Sequence, residues 1–264
     1  MLSARPVAKA RPYTTRIMKH LHLVACASAL FAFTACTAET QEQGDATNSA
    51  PFLVWPEDGS TVFADTAIYV GDPSDVRAVE GTIAVMVGGE GAEAGAAMPE
   101  GAMSLAAGAS FGYVTLPAGE QTVHVQRFDK AGKATSDHKA VTYTVEATPS
   151  DLGVAWLEPQ NGATVKSPFK VRFGMTGAEM SPAGQNPLDK TVGHHHISVN
   201  KGVVTPGFAL PMGTGDYLHY GKAQTEAEVT LEPGTYKLTM QFADAAHRSY
   251  GKKLASKTIK ITVE

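Results

Sequence analysis

Beyond residue 50 the chain repeats itself, and the repeat constrains the fold more than any other feature. "PEDGSTV" at 56–62 returns as "PQNGATV" at 159–165, and "LPAGEQTVHVQRFD" at 116–129 returns as "LEPGTYKLTMQFAD" at 231–244. "VTYTVE" at 141–146 returns as "IKITVE" at 259–264. The pairs keep their order and their approximate spacing, so one architecture must serve both halves. Two domains are expected, 51–147 and 152–264, joined by the Pro-containing stretch "ATPSD" at 147–151.

Each half reads as antiparallel β structure. Asp58-Gly59 and Asn161-Gly162 are turn signals. In "TYKLTMQF", Tyr236, Leu238, Met240 and Phe242 alternate with polar residues, as Phe169, Val171 and Phe173 do earlier. "LEPGTY" resembles the corner before a late strand in immunoglobulin- and fibronectin-like domains, where a Tyr hydroxyl returns to the backbone. With 26 Gly and 15 Pro and few helical periodicities, the expected fold is all-β: two tandem immunoglobulin-like or fibronectin-like β-sandwiches. A single larger sandwich or barrel is the rival, and the ordered repeat argues against it.

The N-terminus reads as an export address. Lys19 precedes "LHLVACASALFAFTA" at 21–35, an apolar run of signal-peptide length that opens well from Met18. It ends in "FTAC", which resembles a bacterial lipobox, so residues 1–36 are read as a lipoprotein signal with Cys36 as lipid attachment point. Cys26 would leave too short an apolar run. "TAETQEQGDATNSA" at 37–50 lacks large apolar residues and reads as a flexible tether. Thr37, where Asp would favour inner-membrane retention, points to the periplasmic face of the outer membrane. Five of the 22 basic residues and none of the 26 acidic ones lie before Cys36, so processing leaves 17 basic against 26 acidic. An acidic chain of this kind is a poor nucleic-acid binder. No Cys remains beyond Cys36, so neither a disulfide nor a thiolate metal ligand is available.

Two motifs lack the context their chemistry needs. "GASFG" at 108–112 matches a nucleophile elbow, but a strand and turn follow instead of a helix. "VGGEG" at 87–91 resembles a dinucleotide loop, but Gly95 and Pro99 stand where a helix must run, so residues 88–109 read as a long flexible loop. His124 and His138 read as single surface positions on or beside strands.

Of the nine histidines, His20 and His22 lie in the leader, and the remaining five concentrate in the second half: His194, His195, His196, His219 and His247. On a strand His194 and His196 share a face while His195 points oppositely, and such a pair can chelate zinc or copper as neutral imidazoles. The first half supplies a comparison, since "GTIAVMV" at 81–87 aligns with "GHHHISV" at 193–199 and holds no His. The fold therefore does not require them. In "YLHYGKAQTE" at 217–226, Gln224 and Glu226 are candidates to orient imidazoles, and Lys222 would suit a small anionic ligand. A buried polar network of histidines is the competing account.

The Gly-His-His-His strand, "HYGKAQTE", "LEPGTYKL" and the Asp244/His247 pair together resemble the bacterial domain-of-unknown-function family 4399, over about residues 153–264. The departures are mild: Ile197 to Asn200 replace residues like "LLID", Tyr220 replaces Phe, and Ala223 replaces Gly. The resemblance implies an exported domain whose histidine motifs are its hallmark, and it implies no established activity.

The expected function is thus a lipid-anchored periplasmic binding protein. It would hold zinc or copper through His194, His196, His219 and His247, with His195, Lys222, Gln224 and Glu226 as ligand-binding or supporting residues. An envelope interaction module with a structural histidine network is the alternative; a metal-dependent hydrolase using Glu226 as base ranks below it. One outcome is testable on the precursor alone. Lipid-modified protein extracted from membranes should have an N-terminus at Cys36, and Cys36→Ala should abolish labelling with a radioactive fatty acid.

Overall fold

Alternation of apolar and polar residues in short segments divided by Gly, Asn and Asp leaves strands as the available solution. The computed structural model describes residues 50–71, 81–105, 111–212 and 214–264. The leader, Cys36, nearly all of the tether and Ser110 lie outside them. Eight strands come from the first repeat: β1 (Phe52–Trp55), β2 (Thr61–Phe63), β3 (Asp65–Gly71), β4 (Thr82–Val87), β5 (Met103–Leu105), β6 (Phe111–Thr115), β7 (Gly119–Phe128) and β8 (Ala134–Glu146). Nine come from the second: β9 (Gly153–Glu158), β10 (Thr164–Val165), β11 (Phe169–Thr176), β12 (Glu179–Met180), β13 (Val192–Val199), β14 (Tyr217–Tyr220), β15 (Glu226–Val229), β16 (Gly234–Ala243) and β17 (Ile259–Val263).

The pairing is the same in both halves. Order β1-β3-β6 faces β2-β8-β7-β4-β5 in the first, and β9-β11-β15 faces β10-β17-β16-β13, with β14 on β13, in the second. The second half adds only β12, parallel to β13. Register repeats as well: Ala84 sits opposite Gln126 as His196 sits opposite Gln241. Even a close approach recurs, for a Cβ on Gly81 or on Gly193 would come within 2.2 Å of the carbonyl oxygen of Phe128 or Ala243 respectively. The chain is an all-β sandwich fold. The expected tyrosine corner is present, with the Tyr236 hydroxyl donating to the Glu232 carbonyl at 2.9 Å.

Each half has its own core. Val62, Ile68, Val85, Val123, Val125 and Tyr143 centre the first; Val171, Phe173, Ile197, Leu238, Met240 and Ile261 centre the second. A third cluster draws on both, packing Trp55 and Ala67 against Phe242, Tyr250 and Leu254. The Trp55 and Tyr250 rings meet edge-on at 5.5 Å. The described residues of both halves accordingly belong to one compact unit.

The first half of β16 alternates between exposed and part-buried, but from Leu238 to Ala243 every residue is buried. Loops roof the outer face there. Gln241 anchors one of them, its Oε1 accepting from Val204 N at 2.7 Å, while the equivalent Gln126 binds Ala92 N at 2.9 Å and so pins the glycine-rich stretch of the first half. His124 also lies under that stretch, buried, with Nδ1 2.7 Å from His138 Nε2 and Nε2 2.9 Å from Gly89 O. The surface position read for His124 from sequence is corrected: the roof over the outer face of β7 takes it out of water.

Phe242 is fully buried where the second core meets the third cluster. Phe242→Ala should lower stability by about 3–5 kcal/mol through lost burial and an unfilled cavity. Urea denaturation with an unchanged slope and an earlier midpoint would register it.

Candidate metal centre

All eight residues of β13 are buried, yet its two faces meet different surroundings. Ile197 and Val199 belong to the core, and His195 points the same way, its ring 5.0 Å from Phe173 and 5.5 Å from Phe242. His194, His196 and Ser198 point outward beneath the roof. Ser198 Oγ accepts a hydrogen bond from Gln241 Nε2. The two histidines instead find more histidine.

His219 on β14 lies directly across from His196, and His247 enters from the turn that follows β16, where Ala243 is opposite His194. His196 Nε2 is 3.0 Å from His194 Nε2, and His247 Nε2 is 3.2 Å from His219 Nε2. One nitrogen from each ring falls within 4.8 Å of all the others. A tetrahedral ion with metal–nitrogen bonds of about 2.0–2.1 Å would separate its ligands by about 3.3 Å. The His194–His196 and His219–His247 separations lie close to that edge, and none in the cluster exceeds 4.8 Å.

His247 stands on a turn built by Asp244. Asp244 Oδ1 accepts from Ala246 N at 2.9 Å and Arg248 N at 2.8 Å, and His247 N donates to Asp244 O at 2.9 Å. The turn holds His247 in the left-handed region, φ 63°, at a cost of about 1–2 kcal/mol for a residue with a Cβ. Strain of this kind recurs where function requires a special geometry. Space for His219 is also built in. A Cβ on Gly221 would fall 2.2 Å from His219 Nε2, the ligand atom itself.

Burial and like charges favour the neutral form of three of the four rings, His194, His196 and His219. Burial, then the like charges of His247 and His219, lower the His194 pKa to about 4 despite the nearby Asp244. Burial and the surrounding histidines take His196 down to about 2. Burial, then His194, lowers His195 to about 4, and burial, then His247, lowers His219. Neutral imidazole is the form that ligates zinc or copper, so the fold removes the proton that would compete. Asp244 is not available as a ligand, since its two oxygens already accept from Trp55, Lys190 and two backbone amides.

Four of the residues singled out from sequence thus converge, and four do not. His195 lies on the core side, as alternation required; both its ring nitrogens are buried without a hydrogen bond. Glu226 belongs to the opposite sheet, where it pairs with Lys170 at 2.8 Å and lies 3.9 Å from Arg172. Gln224 Oε1 accepts from Lys222 N at 2.7 Å, closing an exposed turn. Neither Gln224 nor Glu226 hydrogen-bonds an imidazole among the described residues, so the orienting role read for them is corrected: the chain crosses to the other sheet after β14. The residue that does shape the site is Asp244, which the sequence offered only beside His247. Trp55, Glu57 and Lys190, which surround Asp244, carried no local signal.

Residues 171–264 match the family model for Domain of unknown function (DUF4399), a span that contains all four converging histidines. No curated protein matches the chain. Among solved structures, the fibronectin(III)-like modules of Clostridium thermocellum CbhA are similar at 10% identity and TM-score 0.32, over 81% of this chain and 92% of that one. The FN1-FN3 domains of chicken CNTN1 are similar at 10% identity and TM-score 0.31, over 79% and 65%. Bacteroides ovatus SGBP-B, solved with a mixed-linkage heptasaccharide, is similar at 16% identity and TM-score 0.20, over 82% of this chain and 48% of that one. At such values nothing about a ligand follows from the neighbours.

The lowered pKa values give the metal-free protein a defined pH response. Below about pH 6.5 the unfolded chain takes up protons that the folded rings refuse, so stability is full above that pH and is lost as pH falls toward the folded values. In the presence of a chelator, the urea midpoint should decline steadily from about pH 7 to about pH 4.5. His195→Leu, which removes one of these groups without touching the cluster, should make the decline shallower.

Proposed function

We propose that this is a lipid-anchored protein of the bacterial cell envelope whose second sandwich binds one transition-metal ion, zinc or copper, through His194, His196, His219 and His247. The observation that carries the reading is the convergence of four imidazole nitrogens within 4.8 Å, two of them from fully buried rings on β13. Zinc and copper both accept an all-imidazole set, and no Cys follows Cys36 to bias the choice with a thiolate. Four protein ligands fill a tetrahedral shell. That favours holding or delivering the ion over hydrolysis, for which one position must stay open to water. Glu226, the candidate base for hydrolysis, pairs with Lys170 on the opposite sheet. On this reading Cys36 and the tether set the protein at the membrane, and the repeats present the metal domain to the periplasm.

The test is metal titration of soluble protein beginning after Cys36. Wild type should take up one equivalent of zinc or copper, and His194 and His196, held neutral by burial, should release no protons as it binds at neutral pH. Metal at about a hundred times its dissociation constant should add roughly 2.7 kcal/mol to stability. His194→Ala/His196→Ala should abolish both uptake and stabilisation. Gly221→Ala, which crowds His219, should weaken uptake while the protein stays folded. Equal melting shifts in wild type and the double variant would leave the cluster as a structural histidine network in an envelope interaction module.

A further inference from the structure

Three of the four histidines sit on or in register with strands, where the ladder fixes them. His247 alone depends on a turn, so its position depends on whatever holds that turn. The first repeat contains the same turn. Asp129 Oδ1 accepts from Ala131 N at 2.9 Å and Lys133 N at 2.8 Å, as Asp244 Oδ1 accepts from Ala246 and Arg248. In the first repeat the left-handed position is Gly132, φ 70°; in the second it is His247, φ 63°. Glycine takes that conformation freely and histidine does not.

What differs is the other carboxylate oxygen. Asp129 is exposed, whereas Asp244 is fully buried and its Oδ2 accepts from Trp55 Nε1 and from Lys190 Nζ, each at 2.9 Å. Trp55 belongs to the first sandwich. Lys190 Nζ also pairs with Glu57 of the first sandwich at 2.7 Å and donates to Pro187 O at 2.6 Å. Arg248, next to His247, lies 3.9 Å from Glu57 and donates from Nη1 to Gly207 O at 2.6 Å. Both ends of the turn carrying His247 are therefore tied to the other repeat.

We propose that Trp55 and Glu57 are positioning residues for the metal centre. Acting through Asp244 and Lys190, they hold His247 in its strained conformation, so that metal occupancy and the junction between the sandwiches stabilise one another. The inference rests on the metal-binding reading. Coupling of this kind is reciprocal: whatever tightens the turn raises metal affinity, and metal that fixes His247 tightens the junction. A carboxylate left with fewer donors in a buried site loses its fixed orientation, and supporting residues of this type commonly change metal affinity by about 10–100-fold.

The experiment uses the whole mature protein and zinc. Zinc affinity is measured first for wild type, then for Trp55→Phe, which keeps an aromatic ring in the cluster with Tyr250 but removes the indole donor and some of the buried ring volume. Gln126→Leu serves as the comparison. It deletes hydrogen bonds to Ala92 O and Thr135 O, 2.8 and 2.9 Å long, on β7 of the first sandwich and outside the segment that carries Trp55 and Glu57. The expected result is at least a tenfold loss of zinc affinity in Trp55→Phe and none in Gln126→Leu, although both lose stability. In wild type, zinc should also slow hydrogen exchange at the Trp55 indole N–H, resolved from Trp156 in the Trp156→Phe variant; this reading stands even if Trp55→Phe fails to fold. Unchanged affinity in Trp55→Phe, or indole exchange indifferent to zinc, overturns the coupling while leaving metal binding intact. Absence of zinc binding in wild type instead overturns the reading on which the coupling rests.

Discussion

A β-strand buried on both faces has nowhere to place a polar side chain except against another one. β13 is such a strand. Its inner face contributes to an ordinary apolar core, and its outer face is closed over, leaving His194 and His196 fully buried. The outer residues of β16 and β13 answer this in two ways. Gln241 and Ser198 bond each other and a loop amide, a closed arrangement that needs nothing further. His194 and His196 pack against each other and against His219 and His247, and among the described residues each keeps a buried Nδ1 without a hydrogen bond. Desolvation and mutual repulsion then leave neutral nitrogens aimed at a common point, an arrangement that costs stability unless a cation sits there.

The two repeats act as a matched pair of experiments on one scaffold. By register, the first holds Thr82, Ala84 and Ser104 where the second holds His194, His196 and His219. Gly132 stands where His247 does, at the same step of the same aspartate turn. Strand order, the glycine contact with a neighbouring carbonyl and the glutamine that fastens the roof are common to both. The frame is thus indifferent to the histidines, and the chemistry lies in four side chains and the contacts that hold them.

Much of this was legible in the chain because it follows from local periodicity. Period-2 alternation places His194 and His196 together and His195 apart, and the repeat with its turn dipeptides gives the strand order its symmetry. The corner tyrosine announced its own hydrogen bond. Where the reading failed, the cause was distance along the chain. Glu226 follows His219 by seven residues, close enough to suggest a shared site, but β15 crosses to the opposite sheet and meets Lys170. His124 seemed superficial because nothing in its neighbourhood reveals the roof above β7. The contact between Trp55 and Asp244 spans 189 positions and depends on how two sandwiches abut, which neither repeat encodes alone.

The glycine that opens β13 carries a further meaning. With the Ala243 carbonyl 2.2 Å from where its Cβ would lie, position 193 admits no side chain at all. A slip of β13 by one residue against β16 would bring Val192 or His194 to that spot and would also turn His195 outward and its neighbours into the core. Both shifted pairings collide with the carbonyl. The glycine therefore acts as an index mark, deciding which two of three consecutive histidines face outward and excluding the alternatives by contact alone.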